Sequence, residues 1–127
     1  MNQLVLVVES NPELRENTAE ILELSGYRVL TCASSLKAYE IASTEHPDAI
    51  IYDLMAAEEI STFFRMIKQD DTTRGIPFTM LDGIVLPANT RQIVEDIGGI
   101  ELHKPFSREQ LLDALHRCLE KKDLQEK

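Results

Sequence analysis

Residues 5–13 read VLVVESNPE. The apolar run that begins at Leu4 has the length of a strand, and it stops at an acid, Glu9. Unbroken apolar character, rather than alternation, marks a strand covered on both faces. The residues that follow start a helix: Ser10 or Asn11 can cap it, Pro12 suits its first turn, and Glu13 stands three after Ser10 as in a capping box. Leu14, Ala19, Ile21, Leu22 and Leu24 then recur near helical spacing until Ser25 and Gly26 close the segment. The stretch is therefore a strand-helix unit whose strand delivers a carboxylate at its carboxyl end.

The unit recurs along the chain. Residues 27–32 read as a strand, and Ser34 and Ser35 cap a helix that runs to about His46, with Pro47 as its stop. Residues 49–52 form a second buried strand ending in an acid, Asp53, followed by a helix over about 59–69 and the polar loop DDTTRG. Residues 77–81 make a fourth strand, which ends in Asp82 before Gly83. A helix is expected over 88–97, then Gly98 and Gly99, and a short fifth strand over 100–103. Ser107 with Gln110 forms the capping box of a last helix reaching about Lys121. One domain is expected over 1–121, with 122–127 a charged tail that frays.

Five strands alternating with five helices through short connections predict an α/β fold with a parallel sheet, because each connection must cross over the sheet. In such sheets the functional crevice lies outside the carboxyl ends of the strands. That rule selects Glu9, Asp53, Asp82 and Lys104, one from each of four strands. Two carboxylates 4 Å apart repel by ~4 kcal/mol at an effective dielectric of about 20, so the cluster needs a cation, a shared proton or a nearby ammonium. Mg²⁺ suits the need, since it binds one or two carboxylates, keeps water and bridges to phosphate. Any one acid at a strand end can serve merely as the negative charge a helix N-terminus favours; four charged groups gathered at one mouth ask for more.

Composition narrows the function further. A chain of 127 residues with 43% hydrophobic and 28% charged residues folds around one core. Its 13 basic and 22 acidic residues leave a net charge of −9 with no basic cluster, which disfavours direct nucleic-acid binding. Cys32 and Cys118 form no C-x-x-C pair and read as buried, reduced side chains. No apolar run approaches the ~20 residues that span a bilayer, and the basic start of a signal peptide is missing, so a cytoplasmic protein without a membrane partner is expected. No Gly-rich loop follows the first strand, so a dinucleotide or flavin site is not expected. His46, His103 and His116 are scattered and make no zinc set. Leu111, Leu112, Leu115 and Leu119 form a helical stripe that belongs in the core.

The order VLVVES-NP, PDAIIYDLM, IPFTMLDG and HKPF resembles the receiver domain of bacterial two-component response regulators across essentially the whole chain. The most specific parts are HPDAIIYDLM around Asp53 and Lys104-Pro105 followed by Phe106. The resemblance implies a doubly wound (βα)5 sheet of flavodoxin-like strand order 2-1-3-4-5. It implies that Asp53 accepts a phosphoryl group from a histidine kinase or phosphotransfer protein and passes the signal to a downstream protein. Catalysis is then at most self-phosphorylation and autodephosphorylation at Asp53. It implies a Mg²⁺ site formed by Glu9, Ser10, Asp53 and the carbonyl of Met55, and a lysine, Lys104, that contacts the phosphoryl group.

The chain also departs from that pattern. The family's acidic pair after the first strand is here Glu9-Ser10, so one metal carboxylate has become a hydroxyl and a weak metal site is expected. The Thr or Ser that donates to the phosphoryl group at the end of strand four is Asp82, which has no proton to donate when ionised. The aromatic three residues before the lysine is Glu101, and the loop after Asp53 has Ala57 and Ser61 where the family has Pro and Gly. Two functions are therefore expected to compete: a phosphoacceptor with a degenerate metal site and switch, and a receiver-shaped interaction module independent of phosphorylation, in which Glu9 and Asp82 flank Lys104 as a standing ion pair.

Overall fold

The computed structural model describes residues 2–53, 57–82, 88, 91, 92, 95 and 99–126, and of residues 57–61, 82 and 121–126 the backbone alone. Five strands, β1 (Leu4–Val8), β2 (Arg28–Cys32), β3 (Ala49–Asp53), β4 (Phe78–Asp82) and β5 (Ile100–His103), pair in parallel in the order β2-β1-β3-β4-β5. Helices α1 (Pro12–Leu24), α2 (Ser35–Glu45), α3 (Ala57–Gln69) and α4 (Arg108–Glu126) accompany them. Residues 88, 91, 92 and 95, between β4 and β5, are helical, and the rest of the helix expected over 88–97, with Gly83 and Gly98, lies outside the described residues.

The continuous apolar strands bury both faces of the sheet. Leu6, Val8, Ile50, Tyr52, Phe78 and Met80 point to one side, where they meet Ala38 and Ala42 of α2 and Phe63, Phe64 and Ile67 of α3. Val5, Val7, Ala49, Ile51, Leu81 and Ile100 point to the other, against Leu22 of α1 and Leu111, Ala114, Leu115, Cys118 and Leu119 of α4. Each large aliphatic or aromatic side chain removed from water there contributes ~1.5–3 kcal/mol. On the first face the Tyr52 ring stacks on Phe63 with centroids 5.0 Å apart, and Phe78 meets Phe64 edge-on at 5.2 Å. The Tyr52 hydroxyl reaches Ser35 Oγ at the start of α2. Cys32 and Cys118 are buried thiols, as their isolation in sequence predicts.

Caps decide where the helices begin. Asn11, not Ser10, caps α1: its Oδ1 accepts from the Leu14 N–H at 3.1 Å, and the expected Ser10–Glu13 capping box does not form. Pro12 is the reason, since its missing N–H is least costly at the first helical position, which makes Asn11 the cap. Ser34 Oγ accepts from the Lys37 N–H at 3.2 Å to cap α2, which His46 closes with φ of 49°. The capping box of α4 forms in both directions, Gln110 N–H to Ser107 Oγ at 3.1 Å and Ser107 N–H to Gln110 Oε1 at 2.7 Å. The last helix does not stop near Lys121 but continues through the expected tail to Glu126. Residues 121–126 hold no Gly or Pro to end it, and most are good helix formers.

Candidate functional site

The strand register aligns the carboxyl ends of the central strands. Val8 lies opposite Tyr52, so Glu9 follows at the level of Asp53; Asp53 lies opposite Leu81, and Asp82 opposite His103, one residue before Lys104. The Glu9 main chain still reaches β2, donating its N–H to the Cys32 carbonyl at 3.0 Å. Glu9 and Asp53 are 4% and 5% exposed, which makes them the two buried acids of the described chain. Ser10 is exposed.

Lys104 and Asp53 form the centre of the site. Lys104 Nζ donates to Asp53 Oδ2 at 2.5 Å across 51 residues of chain. The Asp53 side chain is sealed, while about a third of the Lys104 side chain is exposed to solvent. Asp53 Oδ1 is buried and receives no hydrogen bond from any described donor. Beside it, burial pushes the Glu9 carboxyl from an ordinary 4.5 up to about 7. A hydrogen bond shared with Asp53 and the charge of that carboxylate add to the rise, against the Asn11 amide and Lys104, which favour ionised Glu9. Asn11 N–H donates to Glu9 Oε2 at 3.3 Å.

Glu9, Asp53 and Lys104 of the expected site thus meet at one mouth, while the Met55 carbonyl and the Asp82 side chain lie outside what the structure describes. The Lys104 ammonium is hydrogen-bonded to Asp53, and the flanking of Lys104 by Asp82 that the interaction-module reading expects falls on a side chain outside the described residues. A buried carboxylate needs a countercharge, and among the described residues Lys104 supplies one to Asp53.

The donor set fits Mg²⁺. The buried Oδ1 of Asp53 and the neighbouring buried Glu9 carboxyl are two hard oxygens of the kind such a cation takes from protein. Among the described residues no group of three or more His, Cys, Asp or Glu gathers there.

One further group at the mouth was not singled out by the sequence. Arg15, in the first turns of α1, donates from Nη1 to the Glu9 carbonyl at 2.9 Å. Its signal was available, because it is the single basic residue of α1. On β5, Glu101 lies opposite Met80 and pairs with Arg91 Nε at 3.6 Å and His103 Nε2 at 3.7 Å, its side chain 21% exposed. Charges thus occupy the position where the resemblance calls for an aromatic ring. Among the described residues no helix is long and apolar enough to cross a membrane.

Comparison with known proteins agrees with this geometry. The polar-differentiation response regulator DivK of Brucella ovis is 26% identical over 125 residues, covering 94% of this chain and 98% of its own. The chemotaxis response regulator CheY4 of Vibrio cholerae superposes with a TM-score of 0.80 at 28% identity, over 93% of this chain and 99% of that one. The receiver domain of the sensor histidine kinase PA1611 from Pseudomonas aeruginosa, with a TM-score of 0.77, 27% identity and coverage of 94% and 98%, holds a magnesium ion in its active-site cleft. The family model of the response regulator receiver domain matches residues 5–116, and with strand order, buried aspartate and lysine all in register, the chain belongs to the receiver domains of two-component signalling.

Proposed function

We propose that the chain is a phosphoacceptor receiver in which Asp53 takes a phosphoryl group from a phosphohistidine of a histidine kinase or phosphotransfer protein and presents the change to a downstream protein in the cytoplasm. The observation that carries this reading is the division of labour at Asp53: Oδ2 is held by Lys104, while Oδ1 is buried beside Glu9 and accepts from no basic side chain among the described residues. The Oδ1 oxygen is the nucleophile. It forms a bond to phosphorus as the P–N bond of the phosphohistidine breaks, and the electron pair leaves on the imidazole nitrogen, which is stable as a neutral or protonated ring. An anion attacks an anion here, so the barrier is governed by countercharge. Lys104 supplies a fixed part of it, with a side chain exposed enough to meet an incoming phosphoryl oxygen. Glu9 and Asp53, with Ser10 and the carbonyl of Met55, would hold Mg²⁺, which adds the rest when bound.

The test is incubation with a small phosphoramidate or acyl phosphate and Mg²⁺, followed by intact-mass measurement, with Asp53→Asn as the blank. One added phosphoryl group on the wild type and none on the blank is expected. No gain on the wild type, or an equal gain on Asp53→Asn, defeats the reading. The competing reading, an interaction module that works without phosphorylation, is favoured by Glu101, whose ion pair with Arg91 does not involve Asp53.

Two predictions attach to the departures from the family pattern. Ser10 contributes no charge, so Ser10→Asp should tighten Mg²⁺ binding about tenfold in a calorimetric titration, one added carboxylate ligand being the cause. Unchanged affinity would place Ser10 outside the metal's reach. Asp82 should slow phosphorylation or shorten the product's life by adding a negative charge where a hydroxyl would donate. Repulsion at 4 Å is ~4 kcal/mol at an effective dielectric of 20, and Lys104 with a bound metal offsets most of it, so Asp82→Thr should gain about 1–2 kcal/mol, roughly tenfold in rate. No conformational response should return with it, because Glu101 still lacks the ring. Equal rates and half-lives for wild type and variant would mean that the Asp82 charge does not reach the phosphoryl group.

A further inference from the structure

The structure assigns Arg15 as a positioning residue of the acid pocket: by holding the Glu9 carbonyl it fixes the turn after β1 and thereby sets the Glu9 carboxyl beside Asp53. The inference rests on the reading of Glu9 as a metal-holding acid, and it adds a residue that this reading does not include.

Glu9 stands one residue past the last ladder position of β1, where the neighbouring strands also run out. Its N–H still finds Cys32 O at 3.0 Å, but β2 ends at Cys32 and β3 at Asp53, and among the described residues no strand offers the Glu9 carbonyl a partner. A residue only 4% exposed has little water to offer that carbonyl, and a buried carbonyl needs a donor. Arg15 provides one, Nη1 to O at 2.9 Å, from a helix whose start is itself pinned by the Asn11 cap. The Asn11 N–H holds Oε2 of the same residue at 3.3 Å. Main chain and carboxyl of Glu9 are thus held from α1, at two points six and two residues ahead.

The choice of residue is telling. The exposed acids Glu13, Glu16, Glu20 and Glu23 recur along α1, and none of them is ion-paired to Arg15 among the described residues. Arg15 is half-buried and turned to the carbonyl instead. A guanidinium suits this task because its several donors lie in one rigid plane. With the clamp removed, the orphaned carbonyl must move toward water, and Glu9 moves with it.

Positioning and charge predict opposite signs for metal binding. If Arg15 acted only as a positive charge near the pocket, its removal would tighten Mg²⁺. As a positioning residue, its removal should weaken Mg²⁺ about tenfold, in the range seen when an outer partner of a metal ligand is lost. The experiment is calorimetric titration of the full chain with Mg²⁺ for wild type, Arg15→Met and Arg15→Lys, together with amide hydrogen exchange in metal-free buffer. Arg15→Met should weaken binding and speed exchange of the Asn11 and Glu9 amides about tenfold relative to Leu6, while Arg15→Lys, which can donate to the same carbonyl, should recover most of both. Tighter Mg²⁺ binding by Arg15→Met, or unchanged exchange at Asn11 and Glu9, overturns the assignment. So does an Arg15→Lys variant as impaired as Arg15→Met. A wild type that binds no Mg²⁺ defeats the metal reading of Glu9, and the exchange rates then decide Arg15 alone; absence of phosphorylation at Asp53 bears on neither measurement.

Discussion

Lys104→Met should slow the proposed phosphorylation of Asp53 by about two to three orders of magnitude and destabilise the metal-free fold by about 2 kcal/mol. The rate loss is that of removing a fixed positive donor from a site where negative charge gathers, typically 10²–10³-fold. The stability loss follows from the asymmetry of the pair. Breaking a fully buried pair costs ~3–5 kcal/mol, but the Lys104 side chain is 35% exposed, and solvent at that end reduces the loss. Asp53, whose side chain is 3% exposed, is the partner left uncompensated. A double-mutant cycle isolates the pair: Lys104→Met in an Asp53→Asn background should cost little, because no buried carboxylate remains. Equal costs in both backgrounds, in urea unfolding with chelator present, would mean that Lys104 stabilises through its stem rather than its charge.

The second large effect belongs to Glu9 and is a pH dependence. Its folded pKa of about 7 lies above the ordinary 4.5, so between those values the folded state binds more protons than the unfolded one. Stability of the metal-free protein therefore falls as pH rises from about 4.5 to 7 and is flat in this respect above; the full drop is about 3 kcal/mol for this one group. Glu9→Gln keeps an amide donor toward Asp53 and loses the ionisation. It should match the wild type near pH 5 and exceed it at pH 8, in chelator. The same proton competes with Mg²⁺, since a metal-bound carboxylate must be ionised. Apparent Mg²⁺ affinity should rise about tenfold per pH unit below about 7 and level off above, and Glu9→Gln should abolish most of the binding. Parallel stability-pH curves for wild type and Glu9→Gln would show that Glu9 ionises normally.

Both effects depend on features that are partly legible in the chain itself. The apolar runs at Leu4–Val8 and Ala49–Asp53 identify buried parallel strands because a strand covered on two faces admits few polar residues, a local rule that needs no knowledge of neighbours. The same rule places Glu9 and Asp53 at strand ends, and the lysine before Pro105 marks the fifth strand's end. Helix starts are nearly as local: Ser34 and the Ser107–Gln110 box act within four residues. Even there the choice between Ser10 and Asn11 turned on where Pro12 fits with least loss.

Tertiary structure decided what each charge is for. Residue type and spacing do not say which carboxylate Lys104 clamps; its pairing with Asp53 across 51 residues follows from sheet register, which sets the level of each strand end to within one residue. A shift of one position would turn these side chains to the opposite face. The raised pKa of Glu9 is likewise a product of assembly, since burial, its largest cause, exists only once α1 and the neighbouring strands close around the carboxyl. Arg15 reads in sequence as one cation among the acids of α1, and only the end of the β1 ladder reveals a carbonyl in need of it. Hydrophobic pattern and caps act over a few residues and so are written in the chain, whereas the partner of a buried charge is chosen by distances between segments that meet only in the folded sheet.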